Sequence, residues 1–182
     1  VRDGYLYTGD LGFMSKEGLL YVKGRFKSLL ISSDGEKYSP EGIEEALVEK
    51  SPYIDQVMLY NNQCATTTAL IVPNRDSLRR YLKEKGMKAE SVEGRTAALQ
   101  LIENELARFK KGGEFQGMFP ERWLPSSFAV LAEPFTEQNQ MINSTMKMVR
   151  PKIEKAYKER IDYMYTSEGK QTLNQQNIDA IA

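Results

Sequence analysis

Two residues near the start of the chain have side chains that could bind a nucleotide. Asp10 stands in YTGDLG at a predicted strand end, after a glycine that lets the backbone turn tightly. A carboxylate there can accept hydrogen bonds from both hydroxyls of a ribose. The alternative is a turn aspartate that satisfies nearby backbone N–H groups. Arg25, in VKGRF, carries donors in a fixed geometry that suits a ribose or a phosphate. Its alternative is a solvated charge after a strand.

A third candidate is a glycine in a turn. Gly35 follows Asp34 in SSDGEKYSP, and this pair predicts that the preceding extended run stops here. A glycine would also let a ligand pass close to the backbone, because it has no side chain. Each of these signals is weak alone, and their order and spacing carry the information.

The composition excludes several kinds of site. The chain has 182 residues, 41% of them hydrophobic and 27% charged, which is compatible with a globular core. Its formal net charge is zero, and basic residues alternate with acidic ones, so nothing points to nucleic acid. The chain has no histidine, which excludes a His-based triad and any metal site that needs imidazole. The single cysteine, Cys64, excludes an internal disulfide and fits a reducing compartment.

No sequence feature predicts insertion into a membrane or export. No apolar run reaches the roughly 18 residues of a membrane span, and no signal peptide is visible. We therefore expect a cytoplasmic location, with peripheral attachment to a membrane left open. The chain begins with valine next to a predicted strand. This leads us to expect a piece of a longer protein.

The hydrophobic patterns predict an α+β fold, with a small mixed or antiparallel sheet flanked by helices. GYLYT and GLLYVKG, joined through SKEG, predict an N-terminal hairpin. IDQVMLYNN, TTTALIVPN and SFAVLA predict a central three-stranded sheet. Apolar residues recur at helical spacing in the segments that begin with SPEG, RDSLRR and SVEGR, which predicts three helices. A closing helix is predicted over MKMVRPKIEKAYKERIDYMY, before a polar tail.

Two long segments resemble one enzyme superfamily. DGYLYTGDLGFMSKEGLLYVKGRFKSLLISSDGEKYSPEGIEEAL resembles the segment of adenylate-forming acyl-CoA synthetases that joins a large N-terminal domain to a small C-terminal one. EPFTEQNQMINSTMKMVRPKIEKAYKERI resembles the end of the long-chain fatty acid–CoA ligases, where Lys-x-x-Arg opens the last helix. The resemblance implies a hinge-proximal hairpin at 1–27, the C-terminal domain at 28–165 and a polar tail at 166–182.

The resemblance also implies roles for individual residues. Asp10 and Arg25 match residues that bind the ribose of ATP and AMP. Lys27 matches the hinge position about which the C-terminal domain rotates. Gly35 and Glu36 lie in the loop that approaches CoA after this rotation.

Lys147, in STMKMVR, matches the catalytic lysine of adenylation. A fatty carboxylate attacks the α-phosphorus of ATP, and a flexible ammonium is a mobile positive charge suited to stabilising the negative charge that develops. Without the resemblance, Lys147 would be a surface lysine near a helix start. MINST stands where these ligases usually have Leu-Thr-Pro-Thr, so the loop before Lys147 lacks its usual proline.

The implied parent reaction converts fatty acid, ATP and CoA into acyl-CoA, AMP and pyrophosphate. The resemblance implies ATP, CoA and Mg²⁺ bound mainly by an N-terminal adenylation domain in the same parent chain, because the phosphate-gripping loop and the acyl pocket are absent here. We therefore expect this chain alone to be inactive. One alternative is the same domain of another ligase that adenylates acyl or aryl acids. Another is a non-catalytic binding module that keeps the fold.

Overall fold

The structure, a computed structural model, describes residues 1, 3–25 and 28–181 and confirms the α+β fold with small sheets flanked by helices. It contains three small sheets, formed by β1 with β2, by β4, β3 and β6, and by β5, β7 and β8. The strands span Asp10–Met14 (β1), Leu20–Arg25 (β2), Leu30–Ser32 (β3), Lys37–Tyr38 (β4), Ile54–Tyr60 (β5), Asn62–Cys64 (β6), Thr68–Pro73 (β7) and Ser127–Val130 (β8).

Helices flank the central sheet of β5, β7 and β8. They span Glu41–Glu49 (α1), Arg75–Glu84 (α2), Val92–Ala107 (α3), Arg150–Ala156 (α4), Lys158–Met164 (α5) and Gln175–Ala180 (α6). Side chains of Asn74 and Ser91 accept hydrogen bonds from backbone N–H groups in the first turns of α2 and α3. These caps explain why the two helices begin where they do.

The central sheet has the three strands predicted from the sequence. β5 and β7 are antiparallel, and β8 lies parallel to β7. Both faces of the sheet are buried, which explains why β7 and β8 read as unbroken apolar or small-residue runs. On one face, Leu59 and Ile71 pack in a cluster with residues of α1, α2 and α3. On the other face, Met58 and Leu70 pack with residues of α4 and α5.

The N-terminal hairpin is present, but its first strand lies further along the chain than expected. The turn is the predicted SKEG, where the Gly18 N–H donates to the Ser15 carbonyl at 3.1 Å. The strand that pairs with β2 is the one that enters this turn directly, Asp10–Met14, and not GYLYT. The aromatic run 4–8 contributes only an isolated bridge at Tyr5.

The segment predicted as one closing helix is split in two at Tyr157, which caps both α4 and α5. Beyond it, the polar tail is folded against the core. Asn177 in α6 is fully buried, and its side chain bonds with the backbone of Phe128 and Val130 in β8. Polar composition therefore does not make this tail loose, because its amides complete the hydrogen bonds of a buried strand.

Candidate active-site segments

The hairpin brings the two predicted nucleotide ligands to one place. Asp10 at the start of β1 is the register partner of Arg25 at the end of β2. Asp10 is exposed, and its N–H donates to the Thr8 hydroxyl at 3.2 Å. The predicted hinge, Lys27, lies outside the described residues.

The predicted CoA-side loop is a tight turn between β3 and β4. Gly35 has φ +84°, a left-handed conformation that favours glycine, and its N–H donates to the Ser32 carbonyl at 2.9 Å. The Asp34 carboxylate accepts from the Ser32 hydroxyl and from the Glu36 N–H at 3.1 Å. The hydrogen bond from Ser32 holds the pKa of Asp34 below its ordinary value. The turn is thus braced by its own side chains, with the Cβ position of Gly35 open to space.

A distant segment supports this turn. Arg122 donates a hydrogen bond to the Glu36 carboxylate at 2.5 Å and lowers the pKa of Glu36. Trp123 stacks on Tyr38 with ring centroids 5.0 Å apart. The Tyr38 hydroxyl is in turn hydrogen-bonded to the buried Thr67 hydroxyl. The loop is therefore anchored to the core through both ends of β4.

Lys147 lies on a small closed loop. The loop is formed by an isolated antiparallel bridge between Ile142 and Met148. Asn143 donates its N–H to the Lys147 carbonyl at 2.9 Å, and the Asn143 side-chain oxygen accepts from the Lys147 N–H at 2.9 Å. The same oxygen accepts from the N–H and hydroxyl of Thr145 at 3.0 and 2.8 Å. The Asn143 carbonyl also accepts from the Met146 N–H at 2.9 Å. Asn143 therefore takes part in five hydrogen bonds within a loop that lacks proline.

The loop fixes the backbone of Lys147, and the residue itself is exposed. Met146, directly before it, has φ +60°, which is uncommon for a residue with a side chain. An exposed ammonium group on a constrained turn can reach beyond the surface of the chain. This arrangement suits a lysine that acts on a ligand held elsewhere.

A buried ion pair lies at the base of this loop. Arg150, the first residue of α4, donates to the Glu44 carboxylate on α1, and the two side chains are only 11% and 5% exposed. Glu44 also accepts from the Leu59 N–H at 2.6 Å, while Arg150 donates to the Leu59 carbonyl at 3.2 Å. Burial raises the pKa of Glu44 above its ordinary value, and the opposing effect of Arg150 is smaller.

The predicted site residues thus occupy three segments: the hairpin, the Gly35 turn and the Lys147 loop. Among the described residues, no hydrogen bond joins Lys147 to the other two segments. Sequence reasoning missed Asn143 and the Glu44–Arg150 pair. Two signals could have found them. Asn143 precedes Ser-Thr, a typical turn sequence, and Glu44 sits between Ile43 and Leu47 on the apolar side of α1.

Neither a metal cluster nor a membrane helix is found in the described part of the chain. Residues 1, 3–25 and 28–181 contain no group of three or more histidine, cysteine, aspartate or glutamate residues placed to hold a metal ion. Within the same residues, no helix has the length and apolar character needed to cross a membrane.

Comparison of the fold first defines a class of enzyme domain. The chain superposes on the adenylation domain of a carboxylate reductase from Mycobacterium chelonae with a TM-score of 0.72 and 27% identity, covering 91% of this chain and 24% of that one. The adenylation and carrier didomain of a carboxylic acid reductase from Segniliparus rugosus, in complex with AMP, has the same fold with a TM-score of 0.69. Its identity is 23%, and it covers 93% of this chain and 22% of that one. The structural neighbours of this chain are therefore adenylate-forming enzymes.

The relatives in sequence are more specific. The chain is 27% identical to a long-chain-fatty-acid–CoA ligase of Gallus gallus over 99% of its length, and 28% identical to long chain acyl-CoA synthetase 8 of Arabidopsis thaliana over 88%. It spans 25% and 22% of these two proteins, so about a quarter of the length of the curated relatives it matches. No protein-family model matches the chain. The homologues are long-chain fatty acid–CoA ligases, which confirms the resemblance stated from the sequence.

Proposed function

We propose that this chain is the C-terminal part of an AMP-forming long-chain fatty acid–CoA ligase. In this proposal it supplies Lys147 for adenylation and the Gly35–Glu36 turn for CoA. The ligase identity of the homologues supports the reaction class. The order of motifs, with the nucleotide-binding hairpin first and the lysine loop last, supports the placement at the C-terminus of a parent chain.

The observation that carries the proposal is the geometry of the Lys147 loop. Two hydrogen bonds with Asn143 hold the Lys147 backbone, and two more hold Thr145 in the same loop. An exposed lysine on such a loop is prepared to enter a neighbouring site. In adenylation, the fatty carboxylate attacks the α-phosphorus of ATP and pyrophosphate leaves. A positive charge placed near the reacting oxygens stabilises the negative charge of the transition state. Because the backbone of the lysine is already fixed, little reorganisation is needed to place that charge.

The exposed hairpin supports a further domain in the same parent chain. Phe13, Leu20 and Val22 are 49%, 66% and 67% exposed, and Phe13 stacks on Tyr21 at 5.0 Å. Phe13 and Tyr21 are register partners on one face of the hairpin, and Leu20 and Val22 lie on the opposite face. Exposed apolar side chains on both faces of a hairpin favour a contact with other protein. We propose that the N-terminal adenylation domain covers it, with the Asp10 and Arg25 positions facing the nucleotide. ATP, Mg²⁺ and the fatty acid would be held mainly by that domain.

Lys27 stays a proposal that rests on the resemblance alone. It follows the hairpin and precedes β3, so it joins the part proposed to face the nucleotide to the part that carries the Gly35 turn and the Lys147 loop. Rotation about a few backbone dihedrals at such a position would exchange one loop for the other at a shared site.

A second candidate function is adenylation followed by transfer to a carrier protein. The similarity to the carboxylate reductase adenylation domain favours it, at 27% identity and a TM-score of 0.72. The two functions share the first half-reaction and differ in the thiol that accepts the acyl group.

One experiment tests both the reaction class and the acceptor. The parent protein is incubated with palmitate, ATP and Mg²⁺, with and without CoA, and the products are separated by chromatography. The proposal predicts palmitoyl-CoA, AMP and pyrophosphate when CoA is present. Release of ADP and phosphate would contradict adenylation, and acyl-AMP that accumulates without reacting with CoA would favour the carrier-protein alternative.

A further inference from the structure

We infer that Arg150 and Glu44 are positioning residues for Lys147, and that their buried ion pair holds the Lys147 loop against α1 and β5. This inference rests on the proposed role of Lys147 in adenylation. It gives Arg150 and Glu44 a role that neither the composition nor the motif spacing predicted.

The first support is the pattern of bonds around Leu59. β5 is an edge strand of the central sheet, so within residues 1, 3–25 and 28–181 no strand pairs with its outer side. At Leu59 the Glu44 carboxylate accepts from the N–H and the Arg150 guanidinium donates to the carbonyl, at 2.6 and 3.2 Å. Glu44 and Arg150 also bond to each other. The two side chains therefore replace a neighbouring strand and join α1, β5 and α4 at one point.

The second support is the short path from this point to Lys147. Two residues lie between Lys147 and Arg150, and the backbone of each is hydrogen-bonded or paired across the loop. Met148 forms the bridge to Ile142, and the Val149 N–H donates to the Met141 carbonyl at 2.8 Å. A displacement of Arg150 would consequently be transmitted to the lysine through a chain of bonded residues.

The third support is that the pair has no access to a ligand. Both side chains lie almost wholly inside the protein, at 11% and 5% exposure, so neither can touch a substrate directly. Burial raises the pKa of Glu44 above its ordinary value, while Arg150 acts in the opposite direction. In a buried ion pair the cost of desolvating both charges offsets much of their attraction, so the net contribution to stability is small. A role in positioning is therefore the function that this chemistry supports.

The test uses the parent enzyme with Arg150→Lys and Arg150→Gln. Lysine keeps the charge but cannot hold Glu44 and the Leu59 carbonyl in the same planar geometry. Formation of acyl-AMP should fall about ten- to a hundredfold, since small misplacements of a catalytic group have effects of this size. Conversion of supplied acyl-AMP and CoA to acyl-CoA should stay within about twofold of the wild type. In a Lys147→Ala background, neither substitution should slow acyl-AMP formation further.

A matched control and a second measurement make the test decisive. Arg160 is also partly buried and donates to the Val130 carbonyl and to Asn177, away from the loop, so Arg160→Lys should leave acyl-AMP formation near the wild-type rate. Hydrogen exchange of the amides at 145–149 should be faster in Arg150→Gln, while amides of β7 keep their protection. Unchanged exchange in the loop would overturn the inference, because Ile153 in the core would then anchor α4 alone.

The outcomes separate this inference from the proposed function. If Lys147→Ala leaves acyl-AMP formation intact, the proposed role of Lys147 fails, whatever the exchange measurement shows. Suppose instead that Lys147→Ala slows acyl-AMP formation and that adding Arg150→Gln slows it further by the same factor as in the wild type. Arg150 would then act independently of Lys147, and the inference would be wrong.

Discussion

Asn143 and the Lys147 backbone close one loop through two hydrogen bonds that run in opposite directions. Asn143 donates its N–H to the Lys147 carbonyl and accepts from the Lys147 N–H through its side-chain oxygen, each at 2.9 Å. The loop therefore has a defined shape although it contains no proline. Its rigidity comes from an asparagine that is also bonded twice to Thr145.

We expect Asn143→Ala to loosen this loop. The change removes three side-chain hydrogen bonds, each worth about 1 kcal/mol net, and the exposed groups recover part of this from water. Acyl-AMP formation by the parent enzyme should fall about tenfold, because Lys147 loses its fixed backbone. A radiolabelled pyrophosphate exchange assay measures this half-reaction.

The control for this change is Asn74→Ala. Asn74 caps α2 by accepting from the Ser77 N–H at 2.8 Å, and its loss should lower stability by about 1 kcal/mol. It lies on a different element from the loop, so pyrophosphate exchange should not change. Equal effects of the two substitutions on exchange would mean that general destabilisation, and not the Lys147 loop, controls the rate.

Much of the fold follows from the sequence, because β7 and β8 of the central sheet are unbroken apolar or small-residue runs and the helices carry apolar stripes. The site follows less completely, for a physical reason. Turn residues such as Gly35 can be predicted from the local sequence, because the positive φ of the turn favours glycine. The Glu44–Arg150 pair joins residues 106 positions apart, and no local pattern contains that contact. The packing of the polar tail could not be predicted for the same reason, because the hydrogen bonds of Asn177 go to β8, 47 and 49 positions earlier.

The tail gives a prediction about stability. Asn177→Ala leaves the Val130 N–H and the Phe128 carbonyl buried without their side-chain partner. Each group then carries a desolvation penalty of about 1–3 kcal/mol. We expect the free energy of unfolding of the chain, measured in urea, to fall by about 2–4 kcal/mol.

Gln175 provides the comparison on the same helix. It is exposed and donates only to Asp179, also exposed, so Gln175→Ala should change the free energy of unfolding by less than about 0.5 kcal/mol. If Asn177→Ala were equally mild, α6 would not be a part of the folded core.

The raised pKa of Glu44 predicts the pH dependence of stability. The ordinary pKa is 4.5, and burial raises it in the folded chain. As the pH rises above about 4.5, the unfolded chain releases this proton while the folded chain retains it, so the unfolded state becomes favoured. The raised pKa of Glu44 therefore adds to the free energy of unfolding in full below this pH, and the addition is lost as the pH rises through the folded pKa.

Urea unfolding at pH 4.5 and at about pH 6.5 tests this sign. The wild-type chain should lose more stability over this interval than Glu44→Gln, which cannot titrate. Other carboxylates contribute equally to both proteins and cancel in the difference. A wild-type chain that gains stability relative to Glu44→Gln would show that Arg150 lowers the pKa of Glu44 below its ordinary value.

The chain without its parent should fold but not catalyse. Its two apolar clusters supply a core on both faces of the central sheet. The chain spans only about a quarter of the length of the ligases it matches, so the proposed N-terminal domain would supply the rest of the site. The purified chain, given ATP, CoA and palmitate, should form no acyl-CoA above the blank. Turnover would refute the need for an N-terminal domain.

The central claim is that Lys147 serves adenylation, and half-reaction kinetics of Lys147→Ala in the parent enzyme test it most directly. Losing one preorganised electrostatic contact typically slows a reaction about 10²–10³-fold, and acyl-AMP formation should fall by that amount. Thioester formation from supplied acyl-AMP and CoA should remain near the wild-type rate, since the Gly35 turn and not the Lys147 loop is proposed to face CoA. Lys155→Ala, an exposed lysine on α4, should leave both steps unchanged. Equal loss of both half-reactions in Lys147→Ala, or no loss in either, would contradict the assignment.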